Sequence, residues 1–387
     1  MHSTIDRSGA VRPGADVSGA LAGGEPEYLD WGRAEPSDAP CPTLATLGAV
    51  EREYAAIRSG IGLIDAAQRG VLLLSGADVM DLLERMLTAK VGHLQPGQSG
   101  AGFLLERTGR IQADVLVIRS EHGVLLDVDR RDVASLISAI DAMIFAEDVS
   151  VAAGEQWYTL EAHGPELDAL MQSFGTSLPE HGCVGSCEVD GRAAIVTRWD
   201  TAGTAGVRIH VHRAEARAVW DVLHANGTAV AARCRTAGWL AFNMARVEAR
   251  TPWWHIDFGT TSLPHETGLL ADRVSFTKGC YPGQEVVARM ENLGHPKQLL
   301  RVLPMPDERL PIAGGQVFAD EAGPAGNPIG SVTSSAPSPL RGSASTALAV
   351  LKWSHTPLGT VVRCVADGEL VNVAVEAVAT RAQENSQ

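Results

Sequence analysis

The chain changes character at residue 300, and that change limits the folds open to it. Before it, strand-like runs alternate with segments whose apolar residues recur at helical spacing. Val71–Leu74 reads as a strand, and Ser75-Gly-Ala-Asp78 resembles a capping box. Val79, Leu82, Leu83, Met86 and Leu87 then fall on one helical face. Leu104–Glu106, Asp114–Ile118 and Val124–Val128 read as strands separated by glycine-bearing turns, with a second helix from Asp132 through Leu136, Ile140 and Phe145. Tyr158–Ala162, Gly164-Pro165 and Leu167–Met171 repeat the strand, turn and helix of Val71–Leu87, a hint of two related α+β units. Val207–Val211 follows as a strand, with helices at Ala214–Ala225 and Thr236–Arg246. From Leu300 onward helical periodicity vanishes. Val317–Ala319, Ser331–Thr333, Ala347–Lys352, Val361–Val365 and Val371–Ala374 alternate with Gly- and Pro-bearing turns, the pattern of a small barrel or sandwich. The expected class is α+β followed by an all-β domain.

Residues 1–45 are rich in Gly, Ala, Pro, Ser and acids without apolar periodicity, and read as a mostly disordered leader. Order is expected to begin with a helix near Leu47–Ile57, closed by Ser59-Gly60. Residues 46–299 then form the α+β region and 300–387 the β domain. Lysine and arginine total 32 against 46 acids, a net charge of −14, which argues against a broad nucleic-acid surface. No apolar run reaches the ~20 residues of a membrane span. The amino terminus lacks the basic start and apolar core of a secretory signal, so the six scattered cysteines read as thiols of a reducing, cytoplasmic compartment.

Lys278-Gly-Cys-Tyr-Pro-Gly-Gln-Glu285 concentrates the chemistry. Val274–Thr277 reads as a strand, Pro282-Gly283 as a turn, and Gln284–Glu291 as a helix with Glu285 early and Arg289 late, as the helix dipole prefers. Cys280 is thus expected just before a helix amino terminus and two residues after Lys278, a setting that favours a thiolate. Gly279 and Gly283 are expected to allow close approach of a ligand or a positive φ. The other five cysteines read as buried, inert residues.

The run Ser275–Met290 resembles the hallmark of the YgfZ-type folate-binding proteins, relatives of the glycine-cleavage aminomethyltransferase (T-protein). Arg246-Val-Glu-Ala-Arg250, Asp257 and Leu263-Pro-His-Glu266 are similar to segments that precede the cysteine motif in that superfamily. Glu53-Tyr54 through Asp65 resembles its opening, and Ile329–Ser334 with Ser338-Pro-Leu340 its carboxy-terminal domain. The resemblance covers roughly residues 48–380. It implies a T-protein-like fold, two interwoven α+β domains around a folate pocket plus a C-terminal β-barrel domain.

The resemblance also implies a tetrahydrofolate cofactor, contacts with iron–sulfur proteins or their assembly factors, and a link to tRNA modification. On it, Cys280 and Lys278 are the chemical residues, and Arg246, Glu248, Asp114, Tyr281, Gln284 and Glu285 the folate-binding ones. Two acids that aminomethyltransferases carry are missing: Ala113 precedes Asp114, and the turn Thr201-Ala-Gly-Thr-Ala-Gly206 holds Thr204 and no carboxylate. Arg250 also stands where the superfamily usually has glycine. The leading reading is a folate-binding factor for iron–sulfur cluster assembly or repair. A folate-dependent aminomethyltransferase or demethylase is the alternative, and a folate-regulated scaffold, with the cysteine motif only shaping the pocket, is a third reading. His255, His265 and His295 lack fixed ligand spacing and read as ordinary histidines, Trp253-Trp254 as packing, and Arg289, Lys297 and Arg301 as a modest positive cluster.

Overall fold

A computed structural model describes residues 26–32, 41–121, 123–319 and 326–379. Two compact units emerge. One comprises the described residues up to Leu82 with Val91–Gly100 and Val115–Phe242; the other comprises Leu83–Lys90, Ala101–Asp114 and the described residues from Asn243 onward.

The internal repetition is visible in the topology. One sheet runs Gln98–Leu105, Ile111–Ser120, Gly123–Asp129, Arg69–Ser75, Ser150–Ala153; another runs Val184–Val189, Arg192–Arg198, Gly206–His212, Trp157–His163, Ile61–Asp65, Cys234–Thr236. In both, the first strand of the repeat leads into a helix (Val79–Met86 or Leu167–Gln172) and then three further strands. A 3₁₀ turn and a second helix (Val133–Asp141 or Ala216–Val230) follow before the closing strand. The second sheet differs by admitting Ile61–Asp65, which pairs parallel with Cys234–Thr236.

Alternation along those strands sorts their faces. Leu160, Ala162, Val207, Ile209 and Val211 point into a core closed by Ala216, Val219, Trp220 and Leu223, spaced to fall on one face of helix Ala216–Val230. The opposite face of the same strands carries Glu161, His163, Arg208 and His210, and it too is buried. There it meets Arg69 and Asp127 in a charged layer. Arg208 Nε reaches Glu161 at 2.9 Å and its Nη1 reaches Asp127 at 3.1 Å. Asp127 also accepts from Arg69 Nε at 2.7 Å and lies 2.8 Å from His210 Nε2. His163 lies 3.2 Å from Glu161. The Trp199 ring lies beneath the Arg208 guanidinium, 4.2 Å from its centroid.

In the second unit a six-stranded antiparallel sheet runs Gln298–Pro304, Ser345–Lys352, Gly330–Pro337, Gln316–Ala319, Val361–Ala366, Glu369–Ala374. It curls until Val302 and Glu376 exchange backbone hydrogen bonds of 2.9 and 3.0 Å, linking its two ends. All five strands expected after residue 310 are present, around a core that includes Leu303, Val317, Ala349, Val362 and Val373.

Two local expectations change. Val274–Thr277 is irregular rather than a strand: Val274 N–H closes the short helix Leu270–Arg273 on Leu270, and Ser275 N–H goes to the Thr88 carbonyl. The helix expected to reach Phe145 stops at Asp141, where the Glu147 carboxylate takes the Phe145 and Ala146 N–H groups and leaves Phe145 exposed. The Asp78 carboxylate accepts from Asp148 N–H, and so joins two loops. The leader assigned to 1–45 falls largely outside the described residues; within them, Glu27–Asp30 pairs antiparallel with Pro42–Thr46. Among the described residues no helix is long and apolar enough to cross a membrane.

Candidate functional site

The cysteine segment is held from both ends. Upstream, Val274 packs with Phe103, Leu105, Ile111, Tyr281 and Val287 in one apolar cluster. Downstream, helix Gln284–Leu293 begins at Gly283, whose φ of 76° is left-handed. A Cβ at Gly283 would lie 2.6 Å from the Glu106 carbonyl and 2.9 Å from Gly109 Cα, so only glycine lets this helix start press against the 106–109 turn. Gly279 has open space around its Cβ position and no positive φ. Gly283→Ala is therefore expected to lower folding stability by about 2 kcal/mol, while Gly279→Ala stays within about 0.5 kcal/mol. Urea denaturation of the two variants measures the contrast; equal midpoints would show that the turn relaxes freely.

Lys278 supplies a third anchor. Its side chain is fully buried, and Nζ donates to the carbonyls of Glu84, Leu87 and Ala89 at 2.5–2.8 Å, just where helix Val79–Met86 has run out of N–H partners for them. Burial pulls this amine below the ordinary lysine value, with Glu84 opposing. In the structure its ammonium fastens the loop to a helix end.

Between these anchors Cys280 is exposed and unpaired by disulfide. The other described cysteines are buried or half-buried, and burial raises the thiols of Cys187, Cys234 and Cys364, the last two to about 12. The fold thus presents Cys280 as a solvent-facing thiol on a turn anchored on both sides. Its neighbour Tyr281 is buried, and burial raises its phenol to about 12. Gln284 and Tyr281 line a cleft of about 270 Å³ along the signature helix, whereas Glu285 faces solvent.

The residues expected to bind folate fare differently. Asp114 accepts from Arg273 through both oxygens, at 2.8 and 3.4 Å, and its carboxylate is partly exposed. Arg246 is fully buried; it donates to Asp257 at 2.6 Å, Asn243 at 2.9 Å and the Thr251 carbonyl at 3.1 Å. Glu248 accepts from the Ser338 hydroxyl and Leu340 N–H. In the structure Arg246 and Glu248 bond to groups of the protein itself, Arg246 through Nε and Nη1 and Glu248 through Oε1.

Asp257 is the residue whose role the sequence did not reveal. Besides Arg246 it accepts from Trp253 N–H at 2.8 Å and from the Thr333 and Ser334 hydroxyls at 2.6 and 2.5 Å. Thr333 and Ser334 lie in the stretch singled out as similar to the superfamily's last domain, and their hydroxyls were the available signal. Trp253 and Trp254 are buried, Trp254 against Phe258 at 5.4 Å. Among the described residues, no three His, Cys, Asp or Glu side chains are grouped to hold a metal ion. Ala113 is buried, and the turn at 201–206 is braced from outside by Asp200, which accepts from Gly206 N–H at 2.6 Å and Arg198 at 2.7 Å.

Comparison with known proteins agrees with this architecture. Residues 35–278 match the family model described as the GCVT N-terminal domain, a stretch that ends at Lys278, just short of Cys280. An aminomethyltransferase of Geobacillus kaustophilus is 25% identical over 299 residues, covering 75% of this chain and 79% of the relative. One from Streptomyces coelicolor is 27% identical over 323 residues, covering 81% and 84%. The crystal structure of glycine cleavage system aminomethyltransferase T from Bartonella henselae superposes with a TM-score of 0.79 at 20% identity, over 94% of this chain and 95% of that one. That likeness gives the fold, T-protein-like α+β with a curled carboxy-terminal sheet. With the family model matched over more than half its length, the chain belongs to the GCVT N-terminal domain family.

Proposed function

We propose that this protein is a tetrahydrofolate-binding factor of the YgfZ type that supports iron–sulfur cluster assembly or repair, with Cys280 as its working thiol. The observation that carries the reading is the presentation of Cys280: an exposed thiol between Lys278, tied to three carbonyls, and Gly283, pressed against the 106–109 turn. Three devices that immobilise one solvent-facing cysteine exceed what a surface loop needs. Family membership supports a folate ligand, for which the partly exposed Asp114 and the exposed Glu285 offer carboxylates. The alternative, folate-dependent aminomethyl transfer or demethylation, draws on the relatives named aminomethyltransferases. Ala113 and Thr204 weigh against it, since neither side chain can carry the acid chemistry expected at those positions.

Calorimetric titration with tetrahydrofolate tests the ligand. Saturable binding is expected, weakened about tenfold in Asp114→Asn, the loss of one charge-assisted hydrogen bond. Absence of binding to the unmodified protein removes the folate reading. Complementation of cells with failing iron–sulfur enzymes tests the thiol: Cys280→Ala should not rescue, although its exposed position keeps the fold intact. Full rescue by the alanine variant would leave the cysteine without an essential role. Formaldehyde release from N-methylglycine would favour the alternative.

A further inference from the structure

We propose that strand Ser150–Ala153 is a docking edge for an extended segment of a partner protein, one in which β-branched and basic residues alternate. The segment adds to the five-stranded sheet as a sixth strand. This inference goes beyond the folate reading and does not depend on it. Ser150–Ala153 is the outer strand of its sheet and pairs antiparallel with Arg69–Ser75, Ser150 opposite Ser75 and Ala153 opposite Leu72. One step further along that register, Gly154 N–H donates to the Val71 carbonyl at 2.7 Å. Bonded and unbonded pairs alternate along an antiparallel ladder, so the N–H and C=O groups of Val151 and Ala153 point away from the sheet. Among the described residues no strand or isolated bridge pairs with that outer edge.

Exposed edges are ordinarily blunted by charge, proline or a bulge. Ser-Val-Ala-Ala carries no charge or proline and its register is unbroken, so only its shortness limits pairing. The apolar layer also stops short here. Val151 and Ala153 lie opposite Leu74 and Leu72 and share their face, yet they are half-buried where Leu72 and Leu74 are buried. A further strand with β-branched residues on that face extends the layer and closes the ladder, the recognition mode of strand addition.

The surroundings select the sign of the charge. Residues 141–156 contain Asp141, Glu147, Asp148 and Glu155 and no lysine or arginine, with Asp148 and Glu155 just outside the two ends of the strand. The Arg213 guanidinium donates to the Glu155 carbonyl at 2.8 Å and the Trp157 carbonyl at 3.5 Å, one positive charge against four acids. The loop ahead of the strand presents Phe145, 85% exposed. It is pinned there: Glu147 accepts from Phe145 and Ala146 N–H at 2.8 and 3.0 Å. Asp148 N–H donates to the Asp78 carboxylate at 2.8 Å, and Ala77 N–H to that of Asp148 at 3.0 Å. A ring already held in place loses little freedom on binding. Nucleic acid and anionic lipid are repelled by the acids and cannot pair with the ladder. Edge-to-edge pairing of two copies would set the same acids against each other.

Calorimetric titration with the acetylated, amidated hexapeptide Lys-Val-Arg-Val-Lys-Val tests the edge without any folate present, so its outcome is separate from the folate titration. Saturable binding is expected. Lys-Pro-Arg-Pro-Lys-Pro keeps every charge but loses alternate N–H groups, and Glu-Val-Glu-Val-Glu-Val keeps the strand but inverts the charge. Each should bind at least tenfold more weakly. Val151→Pro removes an outward N–H while sparing the bonds to Arg69–Ser75, and should weaken the first peptide at least tenfold with the urea midpoint little changed. The peptide contrast is made on the unmodified protein and decides the matter even where the proline variant fails to fold. Absence of saturable binding, equal affinity for the proline or the glutamate peptide, or unchanged affinity in a folded Val151→Pro each overturns the proposal. Self-association of the unmodified protein that Val151→Pro abolishes would give the edge to a second copy, and overturns it too.

Discussion

Asp257→Ala is expected to lower folding stability by about 4 kcal/mol, within the range found when one member of a buried ion pair is removed. The residue and its partner Arg246 have no exposed side-chain area. Truncation leaves the guanidinium charged in a dry interior and also strips an acceptor from Trp253 N–H and from the Thr333 and Ser334 hydroxyls. Urea denaturation followed by far-ultraviolet circular dichroism gives the size of the loss. Replacing both partners with apolar residues, Arg246→Met with Asp257→Leu, should recover a substantial part of it, because no buried charge is then left unpaired. A loss below about 1 kcal/mol for Asp257→Ala would mean that water reaches the pair.

The second large effect is an acid sensitivity built into the charged layer. Burial works to raise both carboxylates, but Arg208 and then Arg69 outweigh it at Asp127, which is held well below the usual carboxylate range. At Glu161 burial is again opposed by Arg208 and by the hydrogen bond from His163, and the value is lowered to about 2. An acid whose folded value is lowered contributes stability that is complete above its unfolded value, near 4, and is lost as pH falls toward the folded one. The unfolded chain then takes up protons that the folded chain refuses. The contribution of these two acids should therefore be flat from pH 7 to about 5 and fall between about 4.5 and 2. The slope approaches ~1.4 kcal/mol per pH unit for each of the two acids. Urea midpoints at pH 6, 4 and 3 measure it, and Glu161→Gln should flatten the curve while starting from a less stable protein. A midpoint that moves no more in the unmodified protein than in Glu161→Gln would exclude the layer as the cause.

These two groups mark where reading residues in order stops. Strands were expected at Tyr158–Ala162 and Val207–Val211, and they form as Trp157–His163 and Gly206–His212. Alternation separates Arg208 and His210 from Val207, Ile209 and Val211. It does not say whether the polar face meets water or another sheet, and here it meets Asp127 from a strand about eighty residues earlier. A period of two is local, whereas burial is a property of what packs on top.

Arg246 and Glu248 show the same limit at the candidate site. Their residue types suit a ligand, but the acceptors and donors they use were supplied by Asp257, Thr251, Ser338 and Leu340 once the chain closed. Lys278 was placed beside Cys280 by sequence distance, yet its ammonium is held by carbonyls almost two hundred residues away.

The order of residues alone determined the α+β class, the change to strands after residue 300, the turn at Pro282-Gly283 and the helix behind Cys280. Each follows from local spacing, backbone freedom or capping chemistry. The tertiary structure decided what those side chains touch: Cys280 and Glu285 are exposed, Asp114 pairs with Arg273, and Lys278, Arg246 and Glu248 bond to groups from other segments. The reason is that the groups a side chain bonds to come from distant segments, which are brought together only when the chain packs.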